Sequence, residues 1–124
     1  MSFTLEFPDS ELRDVVAEPG VVRLRFSAAT VRDAHGVRGW LSSVALTMTG
    51  ARMAGDAALA FGRIKEGRLL HGGVAVVRLP LDAALAGELE LGLHLANGAT
   101  LSVRAADLAL AVAPGAVFTE DLSC

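Results

Sequence analysis

Three histidines, His35, His71 and His94, are the side chains of this sequence best suited to bind a metal ion or transfer a proton. Zinc sites usually contain ligands that lie close together on one element. Here the histidines fall on three separate predicted elements, and the only cysteine, Cys124, is the last residue. Glu90 and His94 share one face of a predicted strand, but about 13 Å of extended chain separates them. The sequence therefore predicts no metal site.

Nucleophilic catalysis requires a serine or cysteine that is activated by an oriented base. No serine of this chain lies in a Gly-x-Ser-x-Gly sequence, and a terminal residue such as Cys124 is a poor preorganised nucleophile. A glycine-rich loop that could hold phosphates before a helix is also missing from the sequence. We therefore expect no catalytic residue and no cofactor, and a hydrolase-type enzyme is the least favoured function.

The composition argues against nucleic acid and membrane as partners. The 124 residues include 11 Lys and Arg against 14 Asp and Glu, whereas a nucleic-acid-binding domain is usually strongly basic. Hydrophobic residues make up 52%, but the longest uncharged runs, Gly39–Ala51 and Leu91–Val103, are shorter than the roughly 18 residues of a membrane helix. The N-terminal residues lack the pattern of a signal peptide, and the lone cysteine fits a reducing compartment. We predict a cytoplasmic location.

Short runs of alternating apolar and polar residues, separated by 13 glycines and four prolines, predict an all-β chain. The expected fold is a single domain, residues 1–124, built as an antiparallel sandwich or small barrel. It should contain seven to nine short strands and at most one or two short helical turns.

The hairpin around Ala96-Asn97-Gly98 is the clearest local unit. A two-residue turn would place the apolar residues of its two strands on opposite faces, which a half-buried sheet does not tolerate. A three-residue loop instead pairs Leu93 with Leu101, Leu91 with Val103 and Glu90 with Arg104, with Gly98 in the left-handed conformation. Further along the second strand, the apolar positions change from odd to even numbers, which predicts a β-bulge near Ala106-Asp107.

A second pair of strands, Val22–Thr30 and Gly39–Thr49, has its apolar residues at even positions. The even set includes Trp40, which is therefore expected on the core face. If Phe26 pairs with Val44, the apolar residues of the two strands lie side by side, and Asp33–Val37 connects the strands.

The stretch Ser10–Ala17 is open to two interpretations. Asp9 could cap a short helix, or a turn at Pro19-Gly20 could set a strand in which Asp14 faces Arg25 and Val15 faces Leu24. We favour the strand. Less regular stretches predict a hairpin at Phe61–His71, a helical turn at Asp82–Ala86 and a loop at Ala51–Ala60.

The segment Val74-Ala75-Val76-Val77 is the feature that a monomer explains least. A strand that is apolar on both faces must be covered on both faces. Leu41, on the opposite face from Trp40, adds to the apolar surface that needs a cover. Val74, Val76, Val77 and Leu41 therefore predict a homodimer interface or a site for a protein partner, whereas coverage by residues 51–60 is the simpler alternative.

Arginines provide a second hypothesis. Arg23 and Arg25 share one strand face, and Arg104 could join them across the sheet to contact an anion. Together with Trp40 they would form a ligand site in the interior or mouth of a small barrel. Ordinary cross-strand ion pairs of Arg25 with Asp14 and of Arg104 with Glu90 are the alternative. The sequence thus favours a non-catalytic, self-associating interaction module, with a small-molecule-binding β-barrel as the alternative.

Overall fold

The computed structural model describes residues 3–122, and these residues form ten strands and one short 3-10 helix. The strands are β1 (Thr4–Glu18), β2 (Gly20–Arg32), β3 (Arg38–Leu41), β4 (Val44–Gly55), β5 (Gly62–His71), β6 (Val74–Ala75), β7 (Leu79–Pro80), β8 (Ala84–Leu95), β9 (Thr100–Val112) and β10 (Phe118–Glu120). The helix, Ala57–Leu59, joins β4 to β5. The all-β class is confirmed, although the strands exceed the expected number and several are long. No helix within the described residues is long and apolar enough to cross a membrane.

The sheet closes into a six-stranded barrel because β1 pairs with β2 on one side and with β5 on the other. Around the barrel the order is β1, β2, β4, β9, β8 and β5, and each pair is antiparallel. The four short strands are attached outside this ring: β3 and β10 extend from β2, β7 pairs with β1, and β6 pairs with β5.

Aliphatic side chains fill the interior of the barrel. A barrel of this size is just wide enough for its inward-facing side chains. The largest fully buried residues come from all six strands of the ring and include Leu12, Leu24, Leu46, Met48, Ile64, Leu69, Leu89, Leu91, Leu95 and Leu108. The chemistry of this protein must therefore be sought on its outer surface.

The predicted hairpin of β8 and β9 is confirmed. Leu93 faces Leu101, Leu91 faces Val103, and Glu90 faces Arg104. The backbone amide of Leu95 donates to the carbonyl of Ala99, which leaves the three residues 96–98 as the loop. Gly98 has a φ of 89°, as the three-residue loop requires.

The change of phase in β9 falls where it was expected, since Ala105 and Leu108 are both buried and the two residues between them are exposed. The extra residue, however, lies on the neighbouring strand. Gly87 and Glu88 of β8 face the single Ala106 of β9, so the bulge belongs to β8. Gly87 has a φ of 116°, a conformation that favours glycine.

The pairing of Phe26 with Val44 is confirmed, but Trp40 does not lie on the core face. The predicted second strand is interrupted at Ser42-Ser43, where Ser43 has a φ of 59°, and β3 and β4 are separate strands. This interruption changes the phase by one residue, and a shift of one residue moves every side chain to the other face. Leu41 is consequently buried and Trp40 points outward, half-buried.

The strand interpretation of Ser10–Ala17 is confirmed. The turn at Pro19-Gly20 sets Asp14 opposite Arg25 and Val15 opposite Leu24, as expected. Three less regular stretches were predicted wrongly. Residues 62–71 form one strand instead of a hairpin, and residues 84–86 begin β8 instead of forming a helical turn. Of the predicted loop at 51–60, residues 51–55 extend β4. In each case a ladder to a partner distant in sequence, β8 or β9, fixes the extended backbone.

Strand β1 contains a large bulge, in which Phe7–Ser10 lie between the pairs Glu6–Thr30 and Glu11–Ala28. The bulge turns the Phe7 side chain onto Gly67 of β5, where the two strands no longer pair. A Cβ atom at position 67 would overlap the Phe7 side chain and touch Leu93. The missing side chain at Gly67 therefore allows Phe7 to seal the barrel.

We predict that Gly67→Ala destabilises the protein by about 1–3 kcal/mol, the usual cost of overpacking a core. Gly92→Ala is the matched control, since Gly92 is also in a strand and has no neighbouring atom within 4 Å of the added methyl group. The control should be neutral or stabilising by up to about 1 kcal/mol. Urea unfolding measures both, and equal effects of the two substitutions would contradict the role of Gly67.

Candidate functional site

The apolar segment Val74–Val77 lies at the surface. Val74 and Ala75 form the short strand β6, and Val76 continues from it with its amide bonded to the Leu69 carbonyl at 2.8 Å. Val76 packs against the core, but Val74 is 70% and Val77 86% exposed. Both exposed side chains are thus available to a partner.

Residues 51–60 do not cover this segment. Their first half pairs with β9, and the 3-10 helix packs beside β1. The side-chain amide of Asn97 holds that helix by donating to the Leu59 carbonyl at 2.9 Å. The alternative in which residues 51–60 shield the valines is therefore wrong.

A cleft of about 350 Å³ lies beside Val77. It forms because β1 and β5 pair only through Glu11–Leu12 and Gly62–Arg63 and then separate. Its lining is largely apolar and comprises Leu5, Glu6, Phe7, Pro8, Gly67, Arg68, Leu69, Ala75, Val76, Val77 and Leu79. Val77 also borders a second, more polar cleft of about 470 Å³, which includes Arg32 and Arg78. Val77 thus forms a ridge between two depressions.

Leu41 does not belong to this surface. It was predicted as an interface residue, but its side chain is only 5% exposed and belongs to the hydrophobic core. The phase change at Ser42-Ser43 explains the correction, since it exchanges the faces of Leu41 and Trp40.

The residues of the second hypothesis, Trp40 and the three arginines, are not brought together. Trp40 faces Thr30 on β2 and Thr119 on β10, and the clefts around Val77 do not include it. Arg23 and Arg104 are separated both across the sheet and along it. Arg23 faces Thr47, and Thr47 faces Ala109, which is five residues from Arg104 on β9.

Two of the arginines form the cross-strand ion pairs that the register implied. Arg104 Nε lies 3.1 Å from Glu90 Oε1. Arg25 and Asp14 form a bidentate pair, in which Arg25 Nε donates to Asp14 Oδ1 at 2.6 Å. Arg23 contacts the Thr47 hydroxyl at 3.4 Å. Arg25 and Arg104 are therefore already occupied by carboxylates of their own chain.

The histidines lie apart from one another. His71 Nε2 is 2.7 Å from the Ala86 carbonyl, beside the bulge at Gly87. On the outer face, the cross-strand neighbours of His94 are Glu66 on β5 and Thr100 on β9. A shallow cleft of about 610 Å³ lies next to it, over Gly92. Within residues 3–122, the His94 ring has no hydrogen-bond partner that would orient it as a base. No group of three His, Cys, Asp or Glu side chains in that range could hold a metal ion.

Sequence reasoning missed a network of three arginines and three carboxylates at one end of the barrel. Arg38 is at its centre: Nη2 lies 3.1 Å from Asp9 Oδ2, Nη1 lies 3.3 Å from Asp121 Oδ2, and Nε lies 3.7 Å from Glu6 Oε1. Two further arginines contact the same carboxylates: Arg32 Nε lies 2.5 Å from Glu6 Oε2, and Arg63 Nη1 lies 3.3 Å from Asp9 Oδ1. These residues come from β1, β2, β3, β5 and the segment after β10, so no local spacing indicated them.

No protein-family model matches this chain, and neither curated proteins nor solved structures show a significant match to it. The function is therefore inferred from the geometry of the surface.

The pair of Asp14 and Arg25 has a predictable pH dependence. Hydrogen bonding by Arg25 is the main cause that lowers the pKa of the Asp14 carboxyl below its ordinary value. The pair therefore stabilises the fold above the unfolded-state pKa of about 3.9, and this contribution is lost as the pH falls through the lower folded-state pKa.

We expect Asp14→Asn to reduce stability slightly at neutral pH and to have no effect once Asp14 is protonated in both states. Urea unfolding at pH 7 and at strongly acidic pH measures the difference. Glu90→Gln is the control for the loss of an ordinary surface ion pair, since it breaks the exposed pair with Arg104. A loss at acidic pH as large as that at pH 7 would contradict this assignment.

Proposed function

We propose that this protein is a non-catalytic interaction module that self-associates through the segment Val74–Val77. The exposure of Val77, 86% on a ridge between two clefts, is the observation that carries the proposal. A large aliphatic side chain in that position gains free energy only when a partner covers it. A second copy offers both a matching ridge and a matching cleft.

The energy of such a contact favours a surface that extends beyond one residue. Full burial of a valine contributes about 1.5–3 kcal/mol, and association itself costs several kcal/mol. Stable interfaces bury about 1,200–2,000 Å² in total. Val74, Val77 and the apolar lining of the 350 Å³ cleft would form the centre of the contact, with Glu6, Arg32 and Arg78 around it.

Fewer observations support the alternative function, a barrel that binds a small molecule. Its interior is filled by side chains, and Trp40 is remote from the arginine pairs at Arg25 and Arg104. An enzyme would need an oriented base beside a nucleophile. His94 has no hydrogen-bond partner within residues 3–122, and the partner of His71 there is the Ala86 carbonyl, so neither histidine is joined to a nucleophile. For the location of the module we propose the cytoplasm, on the basis of the lone cysteine.

We expect the wild-type protein to form larger species as its concentration rises into the upper micromolar range, and Val77→Lys to remain monomeric. A lysine on this ridge places a charge in the apolar contact, which is costly to desolvate. Static light scattering over a concentration series measures the masses. Because Val77 is exposed, the substitution should change the free energy of unfolding by no more than about 0.5 kcal/mol.

Leu59→Lys is the matched control, since Leu59 is also an exposed apolar residue, at 54%, but lies in the 3-10 helix between β4 and β5. It should associate like the wild type. A wild-type protein that is monomeric at every concentration would remove self-association. Loss of association in Leu59→Lys alone would assign the contact to another surface.

A further inference from the structure

Asn97 is the only residue of this chain with a side-chain amide, since the 124 residues contain one asparagine and no glutamine. It is followed by Gly98, and both residues are exposed in the loop between β8 and β9. An asparagine before a glycine is especially prone to deamidation, because glycine has no side chain to hinder an attack by its own backbone nitrogen. The loop therefore combines the one side-chain amide of the chain with the neighbour that favours its loss.

The reaction is an attack of the Gly98 backbone nitrogen on the side-chain carbonyl carbon of Asn97. A C–N bond forms, the attacking nitrogen loses its proton, and the side-chain nitrogen leaves as ammonia, which gives a succinimide ring. Water then opens the ring at either carbonyl. The product is an aspartate, or an isoaspartate in which the backbone runs through the side chain. Each product carries one negative charge more than the asparagine, and water is the only co-reactant.

In the folded chain, hydrogen bonds hold the groups that this reaction needs. Asn97 Nδ2 donates to the carbonyl of Leu59 at 2.9 Å and to that of Phe61 at 3.4 Å. Asn97 Oδ1 accepts from the amide of Ala99 at 2.9 Å. The amide of Gly98, which is the attacking group, donates to a carbonyl of β8 at 3.0 Å. The loop must therefore open before the nitrogen can attack, and the rate follows the population of the open loop.

The two hydrogen bonds from Asn97 Nδ2 also connect the loop to the end of the 3-10 helix. A carboxylate has no hydrogen to donate. Either product therefore loses both bonds and turns a negative charge toward two carbonyl oxygens. The helix is a single turn of three residues, capped by Asp56, and the residue after it, Ala60, is only 1% exposed. Loss of the Asn97 contact thus weakens the hold on the segment that joins β4 to β5.

We propose that Asn97 is a site of spontaneous deamidation, and that the product releases the 3-10 helix from the loop between β8 and β9. The folded chain sets the rate, because the loop must open first. The reaction needs no partner, so the converted fraction increases with the age of the molecule. The site is separate from the self-association proposed above, since Asn97 does not line either cleft beside Val77.

Intact-mass spectrometry measures this reaction directly, because the chain contains no second side-chain amide. Wild-type protein is incubated at mildly alkaline pH, folded and also unfolded in urea, and ion-exchange chromatography separates the product by its added charge. We expect both samples to convert, with the folded one roughly tenfold slower or more. Deuterium exchange of the Gly98 amide should be slowed by a similar factor, because the same opening frees it. Asn97→Ser, which has no side-chain amide, should keep its mass.

Asn97→Asp tests the consequence of the reaction. Deuterium exchange of the Leu59 and Ala60 amides, which donate to carbonyls within the helical turn, should become roughly tenfold faster, as the loss of ordinary hydrogen bonds implies. Ser102→Asp is the matched control, since it adds the same charge at an exposed position of β9. In the control, exchange of the 3-10 helix should equal that of the wild type.

Each of the following results overturns the proposal. Folded protein that converts as fast as the unfolded chain shows that the hydrogen bonds of the loop do not restrain Asn97. Folded protein that stays unconverted for longer than the exchange of Gly98 allows removes the reaction from the native state. Unchanged exchange of the 3-10 helix in Asn97→Asp, or an equal change in Ser102→Asp, shows that the Asn97 amide does not hold the helix.

Discussion

The contact between β1 and β5 is the constraint on which the rest of this structure depends. It closes the barrel, yet it contains only the residue pairs Glu11–Arg63 and Leu12–Gly62. Beyond them the two strands separate, and the Phe7 side chain seals the gap by packing on Gly67. Closure therefore rests on a short ladder and one aromatic side chain, which explains why a side chain at position 67 would disturb it.

The same separation of β1 from β5 creates the outer surface to which we assign the function. Where β1 no longer pairs with β5, it pairs with β7, and β5 pairs with β6. The chain between β6 and β7 must cross the gap, and it exposes Val77 as it does so. Larger barrels can offer apolar surface in an internal cavity. Here the interior is filled, and the apolar surface that a partner could contact is the outer surface around Val77.

Arg38 joins β1 to the segment that follows β10. From β3 it contacts carboxylates of β1 and of Asp121, which follows β10. The ring of Phe118 reinforces this link, since it lies 5.1 Å from that of Phe3 and covers Gly39. A strand of three residues such as β10 would otherwise be weakly held. Arg38 and Phe118 thus hold β10 and the segment after it against β3 and the beginning of β1.

The sequence by itself determined the all-β class, the three-residue loop at 96–98 and the registers that pair Asp14 with Arg25 and Phe26 with Val44. These follow from turn geometry and a period of two, which act between residues close in sequence. Only the tertiary structure decided that β5 is one strand, that Leu41 is buried while Trp40 is not, and that Arg38 gathers three carboxylates. The sequence also singled out Val74–Val77, but whether that segment is covered depends on partners 60 or more residues away, such as Leu5 and Phe7. A pattern within one strand cannot reveal which distant strand lies beside it, because strand order is set by packing of the whole chain.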